Sequence, residues 1–271
     1  YDLLSSLGLP TGVVRSTAEA AMGFLARLIR PGGRIPLLND SVHGEAIEAT
    51  SCLSYCRACG LTRTDPSKDS SEGSGYRLLP TAAGTMLFDV GDVGPPHLPA
   101  HSHNDHLSVL LRVDGRPVLA DTGVYDYGAN RRRRYARSVA AHNTAQYGSA
   151  EPIPIGGSYL LGRRTRVSVV ADEPGRITAQ YARRGVGPAY EHRRTVATTG
   201  PGWEVVDDVS ADDGRYTVRY HFHPGVDVAG AAAAEGGVDV AGAAAAEGGF
   251  DVALDGDRIA RVRVHGADRC G

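Results

Sequence analysis

Short segments that alternate apolar and polar residues follow one another from Tyr76 towards the end of the chain, and they limit the possible folds more than any other feature. Turn-forming residues separate these segments, and no run of helical periodicity lies between them. The predicted strands are Tyr76 to Leu79, Thr85 to Asp89, Leu107 to Val113, Arg116 to Thr122, Arg164 to Val170, Arg176 to Tyr181, His192 to Ala197, Trp203 to Val209, Tyr216 to Phe222 and Arg258 to Val264. Because no crossover helices separate the strands, the pattern predicts an antiparallel β-sandwich.

Residues 1–64 show helical periodicity instead, with apolar residues that recur every three or four positions. The predicted helical runs are Leu3 to Leu7, Ala18 to Arg30 with a cap at Ser16 or Thr17, and Glu45 to Cys59. Asp65 to Gly75 is polar and rich in Ser and Gly, as linkers often are. We therefore expect a helical unit at 1–64, a linker at 65–75 and a sheet domain at 76–271.

A twelve-residue sequence, VDVAGAAAAEGG, occurs twice in tandem, from Val226 to Gly237 and from Val238 to Gly249. Two copies of so short a repeat cannot bury a stacked core of their own. We therefore expect residues 226–249 to form an enlarged surface loop within the sheet domain. Removing one copy of such a loop would change the free energy of unfolding by only about 1 kcal/mol.

Composition and charge exclude several classes of protein. Hydrophobic residues make up 42% of the 271 residues, so the chain can bury a core and is not disordered. The formal net charge of −2 gives no overall attraction to nucleic acid, and the basic content is concentrated locally at Arg131 to Arg134. No apolar run is long enough to span a membrane, and no signal peptide is visible. The chain begins at Tyr1 inside a helical pattern and without Met, so a truncated N-terminus is expected.

Residues that can perform chemistry are concentrated between positions 101 and 144. Two predicted strands in this segment are joined at Asp114-Gly115, a dipeptide that favours a tight hairpin turn. His103 precedes the first strand and Asp121 ends the second, so the hairpin brings them side by side, and His142 follows further along the chain. Histidine and aspartate converging on one point are typical of a zinc site. The alternative is that these groups only hydrogen-bond at the end of the sheet.

Three sequence blocks in this segment carry a family resemblance. They read His101-Ser-His103-Asn-Asp105-His-Leu-Ser108, Gly115-Arg-Pro-Val-Leu-Ala-Asp121-Thr-Gly123-Val-Tyr125-Asp-Tyr127, and Arg137-Ser-Val-Ala-Ala-His142-Asn-Thr144. In this order they resemble the C-terminal sheet domain of the heparinase II/III-like polysaccharide lyases. A weaker likeness extends back to Leu37-Leu-Asn-Asp40 and forward to His221-Phe-His-Pro224. The resemblance implies that the helical residues 1–64 are the end of an α/α toroid.

The resemblance also implies a metal and a reaction. In the family, the residues that match His103, Asp121 and His142 bind zinc, and Asp105 and Asn143 are candidates to support them. The implied activity is β-elimination on a uronic-acid polysaccharide such as a glycosaminoglycan or alginate. An anionic polysaccharide is therefore the expected partner. The bias towards Arg, Ala and Gly suggests a bacterial source, for which we expect a periplasmic or secreted enzyme.

The expected catalytic residues are Tyr127 and His101. Tyr127 matches the catalytic tyrosine of the family, and a phenol can take or give a proton when neighbouring cations lower its pKa. His101 would contact the substrate near the scissile bond. Tyr125 alternates with Tyr127 and should face the other way. The expected substrate-binding residues are Arg134, Arg137, Asp40 and Asn143. An ordinary packing role for Tyr127 is the alternative.

Three other functions remain open. The family places a further tyrosine, and an Asn or His that neutralises the uronate carboxylate, in toroid helices missing from this sequence, so a non-catalytic carbohydrate-binding module is the main alternative. Cys52, Cys56 and Cys59 have the C-x3-C-x2-C spacing of radical iron–sulfur enzymes, but the same spacing places small apolar residues on one helix face. Arg131 to Arg134 could bind nucleic acid, yet no second basic stripe or aromatic platform accompanies it. Cys270 has no evident partner.

Overall fold

The structure is a computed structural model that describes residues 1–29, 33–64, 74–95, 97–185, 187–200, 202–210 and 216–229, and the strand segments 233–234, 237–242, 248–254 and 257–264. The chain divides into two compact units. The first contains Tyr1–Leu37 and Val42–Gly75, and the second contains Leu38–Ser41 and Tyr76–Gly271. Leu38–Ser41 lies in the predicted helical region but belongs to the sheet unit.

The first unit is helical. Its described helices are α1 (Asp2–Ser6), α2 (Gly12–Leu28) and α3 (Ala49–Ala58). Met22, Leu53 and Leu61 form its buried core. Helix α2 begins at Gly12, before the predicted cap. The hydroxyls of Ser16 and Thr17 donate to the carbonyl of Val13 inside the helix, so neither residue caps it. Among the helices described in the two units, none is long and apolar enough to cross a bilayer.

The three cysteines of the C-x3-C-x2-C motif are half-buried on α3 and at its C-terminal end. Cys56 packs against the core of the first unit, and burial, followed by the neighbouring Cys52, raises the pKa of its thiol. All three thiols are free. The three cysteines therefore fit the interpretation in which small, partly apolar residues share one helix face. Their placement gives no support to an iron–sulfur site. Cys270 lies outside the described residues.

The second unit is built from antiparallel strands. They are β1 (Tyr76–Pro80), β2 (Gly84–Asp89), β3 (Val109–Val113), β4 (Arg116–Leu119), β5 (Ala145–Tyr147), β6 (Ile155–Gly156), β7 (Leu160–Leu161), β8 (Val167–Glu173), β9 (Arg176–Arg183), β10 (Tyr190–Thr199), β11 (Gly202–Ser210), β12 (Tyr216–His221), β13 (Val226–Ala229), β14 (Ala233–Ala234), β15 (Gly237–Gly242), β16 (Gly248–Leu254) and β17 (Asp257–Val264). The sheets have the orders β1-β2-β3-β4, β11-β10-β9-β8, β14-β15-β12-β5, β13-β16-β17 and β6-β7. Helix α4 (Arg131–Arg137) and a 3-10 turn (Val139–Ala141) lie between β4 and β5.

The first two of these sheets share one hydrophobic core. Leu79 and Phe88 of the first sheet are buried in the same cluster as Ile177 and Tyr181 of the second. Alternate residues of β9 are buried, as the period of two requires for a sheet with one face on a core. The indole N–H of Trp203 also donates to the carbonyl of Leu79 at 2.8 Å, which joins the two sheets directly. The predicted antiparallel sheet domain is confirmed.

The hairpin between β3 and β4 turns at Asp114-Gly115, as predicted. Asp114 has φ 48° and Gly115 has φ 77°, so both central residues adopt the left-handed conformation of a type I′ turn. Strand β3 starts at Val109, two residues later than predicted. Leu107 has φ 58°, which is incompatible with a strand, and it ends the preceding histidine-bearing loop.

The tandem repeat contains strands where we predicted a surface loop. Strand β15 consists of Gly237 and the start of the second copy, and it pairs with β12 from Tyr216↔Gly242 to His221↔Gly237. The first copy begins with β13, which pairs with β16. The physical reason is the V-D-V-A sequence at the start of each copy, which alternates with the period of a strand. The repeat also contains β14, which pairs with β15, and the first two residues of β16, whereas 230–232, 235–236 and 243–247 lie outside the described part of the chain.

Candidate active site

Asp40 connects two of the predicted site histidines. Its carboxylate accepts hydrogen bonds from His101 Nδ1 at 2.9 Å, from His103 Nε2 at 2.8 Å and from both terminal nitrogens of Arg133, with Nη2 at 2.9 Å. Burial opposes ionisation, but the bonds from His103, Arg133 and His101 together hold the pKa of Asp40 well below its usual range. An ionised carboxylate can only accept, so His101 Nδ1 and His103 Nε2 must carry the protons.

A second carboxylate holds the third histidine. Asp121 Oδ2 lies 2.7 Å from His142 Nδ1, and Asp121 Oδ1 accepts the backbone N–H of Gly123 at 3.2 Å. Burial works against the charge, yet the charge of His142 and its hydrogen bond lower the pKa of Asp121. Burial also works against a charged His142, yet the charge of Asp121 raises the pKa of His142. His142 Nδ1 is therefore the nitrogen that donates to Asp121.

The other ring nitrogens of the two histidines are buried and unpaired. His103 Nδ1 and His142 Nε2 have no hydrogen-bond partner within the described structure, and the ring centroids are 5.4 Å apart. The carboxyl of Asp105 is also buried, and burial raises its pKa while the charges of His142 and His103 lower it. The arrangement provides two imidazole donors for a metal, each oriented by a carboxylate on its far nitrogen, as in many zinc sites.

The third predicted ligand, Asp121, makes hydrogen bonds within the protein. One of its oxygens accepts from His142 and the other from the backbone N–H of Gly123, and each oxygen keeps a second lone pair. In the described part of the chain, no group of three or more His, Cys, Asp or Glu side chains is arranged to hold a metal ion. The residues that could hold a metal here are therefore the two imidazoles, with Asp121 beside His142.

Tyr127 lies beside His101 at the surface of this cluster. Its ring is 40% exposed and meets the ring of His101 edge-on, with centroids 5.9 Å apart. The guanidinium of Arg133 lies 5.1 Å from the centre of the Tyr127 ring, and Tyr159 stacks on the same ring at 6.1 Å. A phenol, an imidazole and a buried cation are thus placed together at a position that solvent can reach.

Tyr125 has different neighbours from Tyr127. This agrees with the expectation that the two side chains, two positions apart, face different ways. Tyr125 is 70% exposed, and Arg132 lies over its ring at 4.3 Å. An open groove of about 410 Å³ begins at this tyrosine. The groove is lined by Thr122, Gly123, Tyr125, Arg131, Arg132, Tyr135 and Ala136. The groove therefore combines cationic and aromatic side chains.

The placement of Arg137 does not agree with the predicted contact to substrate. Its side chain is fully buried, and its guanidinium donates to the carbonyls of Ser102 at 3.1 Å, Gly157 at 3.1 Å and Leu160 at 3.3 Å. Burial, followed by the positive charge of Arg133, lowers the pKa of Arg137. It holds loops together inside the domain.

Asn143 and Asp40 also lie beneath the surface. The Asn143 amide donates to the carbonyl of Ala120 at 2.9 Å and accepts the backbone N–H of His221 at 2.6 Å, so both of its polar groups are used within the protein. The side chain of Asp40 is only 4% exposed and is fully engaged by its three partners. Both residues position the site. Of the four predicted substrate-binding residues, Arg134 is the one that is exposed.

Sequence reasoning missed Arg133 and Tyr159. From the sequence, Arg133 is one member of the basic run Arg131 to Arg134, whereas in the structure it is buried and paired with Asp40. The helical spacing of Arg133, Ala136 and Arg137, which share the buried face of α4, was the available signal. For Tyr159 the sequence offers no signal, because its loop returns to Tyr127 only through the tertiary fold.

These observations define a class of protein, an antiparallel sheet domain with a histidine-rich and arginine-rich site open to solvent. A family model described as "Heparinase II/III-like, C-terminal" matches residues 63–266. The chain belongs to the heparinase II/III-like family. No curated protein matches the sequence.

Solved structures with a similar fold include a heparinase III and a heparan sulfate lyase. A structure titled heparinase III, BT4657 gene product, has a TM-score of 0.56 at 15% identity, over 94% of this chain and 43% of that one. A heparan sulfate lyase, HepC from Pedobacter heparinus, has a TM-score of 0.54 at 12% identity, over 94% of this chain and 54% of that one. At such identities the likeness concerns the fold. The chain spans about half the length of these proteins.

Proposed function

We propose that this chain belongs to a lyase that cleaves a uronic-acid polysaccharide by β-elimination. The observation that carries the proposal is the exposed pair of Tyr127 and His101 above the buried Asp40–Arg133 ion pair. The names of the similar structures, heparinase III and heparan sulfate lyase, support an anionic polysaccharide as the substrate.

The reaction requires two proton transfers at one sugar linkage. A base removes the proton from C5 of the uronate, the C5–H electron pair forms the C4=C5 double bond, and the C4–O bond breaks. The leaving glycosidic oxygen then takes a proton. An ionised Tyr127 can accept the C5 proton and return it to the leaving oxygen, since the two atoms lie on adjacent carbons.

His101 supports these transfers through its fixed orientation. Asp40 accepts the proton on His101 Nδ1, which leaves the lone pair of Nε2 available to a substrate hydroxyl or to a proton. Arg133 lies 5.1 Å from the centre of the Tyr127 ring and is itself paired with Asp40. Tyr127 and His101 are both solvent-accessible, as a polymer substrate requires.

The groove that begins at Tyr125 is suited to an anionic sugar. Arg131 and Arg132 provide planar guanidinium groups that can bind carboxylate or sulfate through paired hydrogen bonds, and Tyr125 provides a ring against which a sugar can pack. Arg134, exposed on the same helix, extends this positive surface. These side chains favour a polyanionic sugar over a neutral one.

Zinc is part of the proposal. His103 Nδ1 and His142 Nε2 would bind the ion, with Asp121 as the third ligand. When bound, zinc would hold the two imidazoles in place and balance the buried carboxylates around them. The support lies in the two unpaired buried nitrogens, which are costly to leave without a partner.

We also propose that the helices of the first unit are the end of an α/α toroid, and that the natural enzyme acts in the periplasm or outside the cell. A polysaccharide substrate is too large to reach a cytoplasmic enzyme without prior cleavage. The group that neutralises the uronate carboxylate would come from toroid helices that this sequence does not contain.

The experiment is an ultraviolet assay for the unsaturated uronate that β-elimination creates. The protein is incubated with heparan sulfate, chondroitin sulfate and alginate, with neutral cellulose oligosaccharide as the control. Growth of the unsaturated-uronate absorbance with one acidic polymer supports the proposal. Binding of an acidic polymer without any absorbance change, in this chain and in the longer natural protein, would instead establish a non-catalytic carbohydrate-binding module.

A further inference from the structure

An ion pair between a fully buried arginine and a largely buried aspartate joins two strands of the second sheet. Arg194 of β10 and Asp207 of β11 lie directly opposite each other in the antiparallel register. Arg194 Nε and Nη2 donate to the two carboxylate oxygens of Asp207 at 2.7 and 2.8 Å. Arg194 is 0% exposed. The pair has the bidentate geometry that fixes a guanidinium in one plane.

The other edge of the guanidinium reaches the two loops that carry the site histidines. Arg194 Nη1 donates to the carbonyl of Leu107 at 2.8 Å and to the carbonyl of Asn143 at 2.6 Å. Leu107 ends the loop that contains His103, and Asn143 directly follows His142. A single side chain from the opposite sheet therefore holds both loops at once.

The two loops are also joined to each other near these contacts. The hydroxyl of Thr144 donates to the carbonyl of His106 at 2.8 Å, and the hydroxyl of Ser108 accepts the N–H of Asn143 at 3.2 Å. Leu107 sits between them with φ 58°, a conformation that costs free energy in a non-glycine residue and persists only where its surroundings enforce it. The bond from Arg194 to the Leu107 carbonyl supplies that enforcement.

The charges of the pair are balanced inside the domain. Burial opposes the charge of Asp207, but Arg194 and the hydrogen bond from His192 Nε2 hold the pKa of Asp207 well below its usual range. Burial likewise opposes the charge of Arg194, and Asp207 raises the pKa of Arg194. A lysine at this position could keep the positive charge. Its single ammonium group, however, cannot donate in all the directions in which the planar guanidinium of Arg194 donates.

We propose that the Arg194–Asp207 pair is a positioning device that sets the spacing and orientation of the His103 and His142 imidazoles through the carbonyls of Leu107 and Asn143. It deepens the proposed function, and any effect on catalysis rests on that function. The positioning itself is independent of activity and can be measured in the protein without substrate or metal.

The test uses the full chain with 15N-labelled histidine, free of metal, and records the imidazole nitrogen resonances. Arg194→Met and Arg194→Lys are each expected to shift the His103 and His142 resonances while leaving those of the exposed His43 unchanged. The matched control is Arg193→Gln. Arg193 is the preceding residue of β10, points to the exposed face and bonds to Gln180, so its loss should leave all three histidines as they are.

A second variant separates positioning from stability. Arg194→Met alone leaves a largely buried carboxylate without its positive partner, which strongly destabilises a fold. Combining Arg194→Met with Asp207→Asn removes both charges and keeps an acceptor for His192, so this double variant is expected to fold and still to shift the His103 and His142 resonances. Wild-type resonances in the folded double variant would overturn the proposal.

The remaining outcomes are also decisive. If neither Arg194→Lys nor the double variant folds, the pair is a requirement for folding and the proposed positioning role is rejected. If the resonances shift as expected but the wild-type protein never produces unsaturated uronate, the failure belongs to the proposed function and the positioning stands.

Discussion

Four buried histidines differ in their surroundings. His103, His142 and His192 each donate from one ring nitrogen to a carboxylate and have no hydrogen-bond partner on the other nitrogen within the described structure. The ring centroids of His103 and His142 lie 5.4 Å apart, and this closeness makes these two the candidates for a shared metal ion. His106 packs against the ring of Tyr181 at 5.0 Å and is a core residue.

His106 leads to a prediction about pH and stability. Burial, with a smaller effect from the charges of His192 and His142, lowers the pKa of His106 to about 4. In the unfolded chain His106 has its ordinary pKa near 6.5. Between the two pKa values the unfolded chain therefore binds a proton at His106 that the folded chain does not bind. The free energy of unfolding should therefore fall as the pH is lowered, by about 2 kcal/mol between pH 7.5 and pH 5 from this residue alone.

The measurement compares urea unfolding of the wild type with that of His106→Phe at both pH values. Phe keeps the ring contact with Tyr181 and cannot take up a proton, so the variant should lose less stability on acidification by about 2 kcal/mol. An identical pH dependence in the two proteins would show that His106 is not the group responsible.

The metal proposal makes a separate prediction for single residues. Freshly purified protein should contain about one zinc ion per chain, and His103→Ala, Asp121→Ala and His142→Ala should each lose it. His43→Ala, a change at an exposed histidine of the helical unit, is the control and should keep the metal. Elemental analysis provides the result, and calcium or no metal in the wild type would contradict the proposal.

At the scale of elements, the parts that depend on local pattern were predictable. The type I′ turn at Asp114-Gly115 follows from the dipeptide, and the hairpin brings Asp121 back towards the segment that carries His103. Helix α4 was not predicted, because Arg131 to Arg134 was interpreted as a charged patch. In the structure these four arginines lie on one helix, in which the side chain of Arg133 is buried and those of its neighbours in the run are exposed.

The tandem repeat shows why an element can be missed. Its alanine and glycine content suggested a loop, yet each copy begins with the alternating V-D-V-A that suits a strand. Strand β15 uses the start of the second copy to pair with β12, and β13 uses the first copy to pair with β16. The repeat forms strands because it pairs with strands that are distant in sequence. The sequence pattern alone does not reveal such partners.

Deleting the second copy, Val238 to Gly249, tests this arrangement. One remaining copy can supply a strand to β12 or to β16 but not to both, so the free energy of unfolding should fall by clearly more than the roughly 1 kcal/mol expected for shortening a loop. The urea midpoint and the slope of the transition should both decrease. An unchanged midpoint would show that the repeat is an unpacked loop after all.

At the scale of the whole molecule, the site depends on contacts between residues far apart in sequence. Arg133 pairs with Asp40, and Arg194 reaches Leu107 and Asn143 from another sheet. The three family blocks identified the histidines and aspartates correctly as neighbours. The arginines that support them could not be predicted, because their partners lie on elements whose packing is set by the fold as a whole.

The central claim is that Tyr127 transfers protons in a β-elimination reaction, and one comparison tests it most directly. The release of unsaturated uronate is measured for the natural protein as wild type, Tyr127→Phe and Tyr125→Phe. Tyr127→Phe should lower kcat by about 10²–10⁴-fold while the fold and metal content stay unchanged, and Tyr125→Phe should have a much smaller effect. Near-normal turnover in Tyr127→Phe, with activity abolished by Tyr125→Phe, would contradict the account.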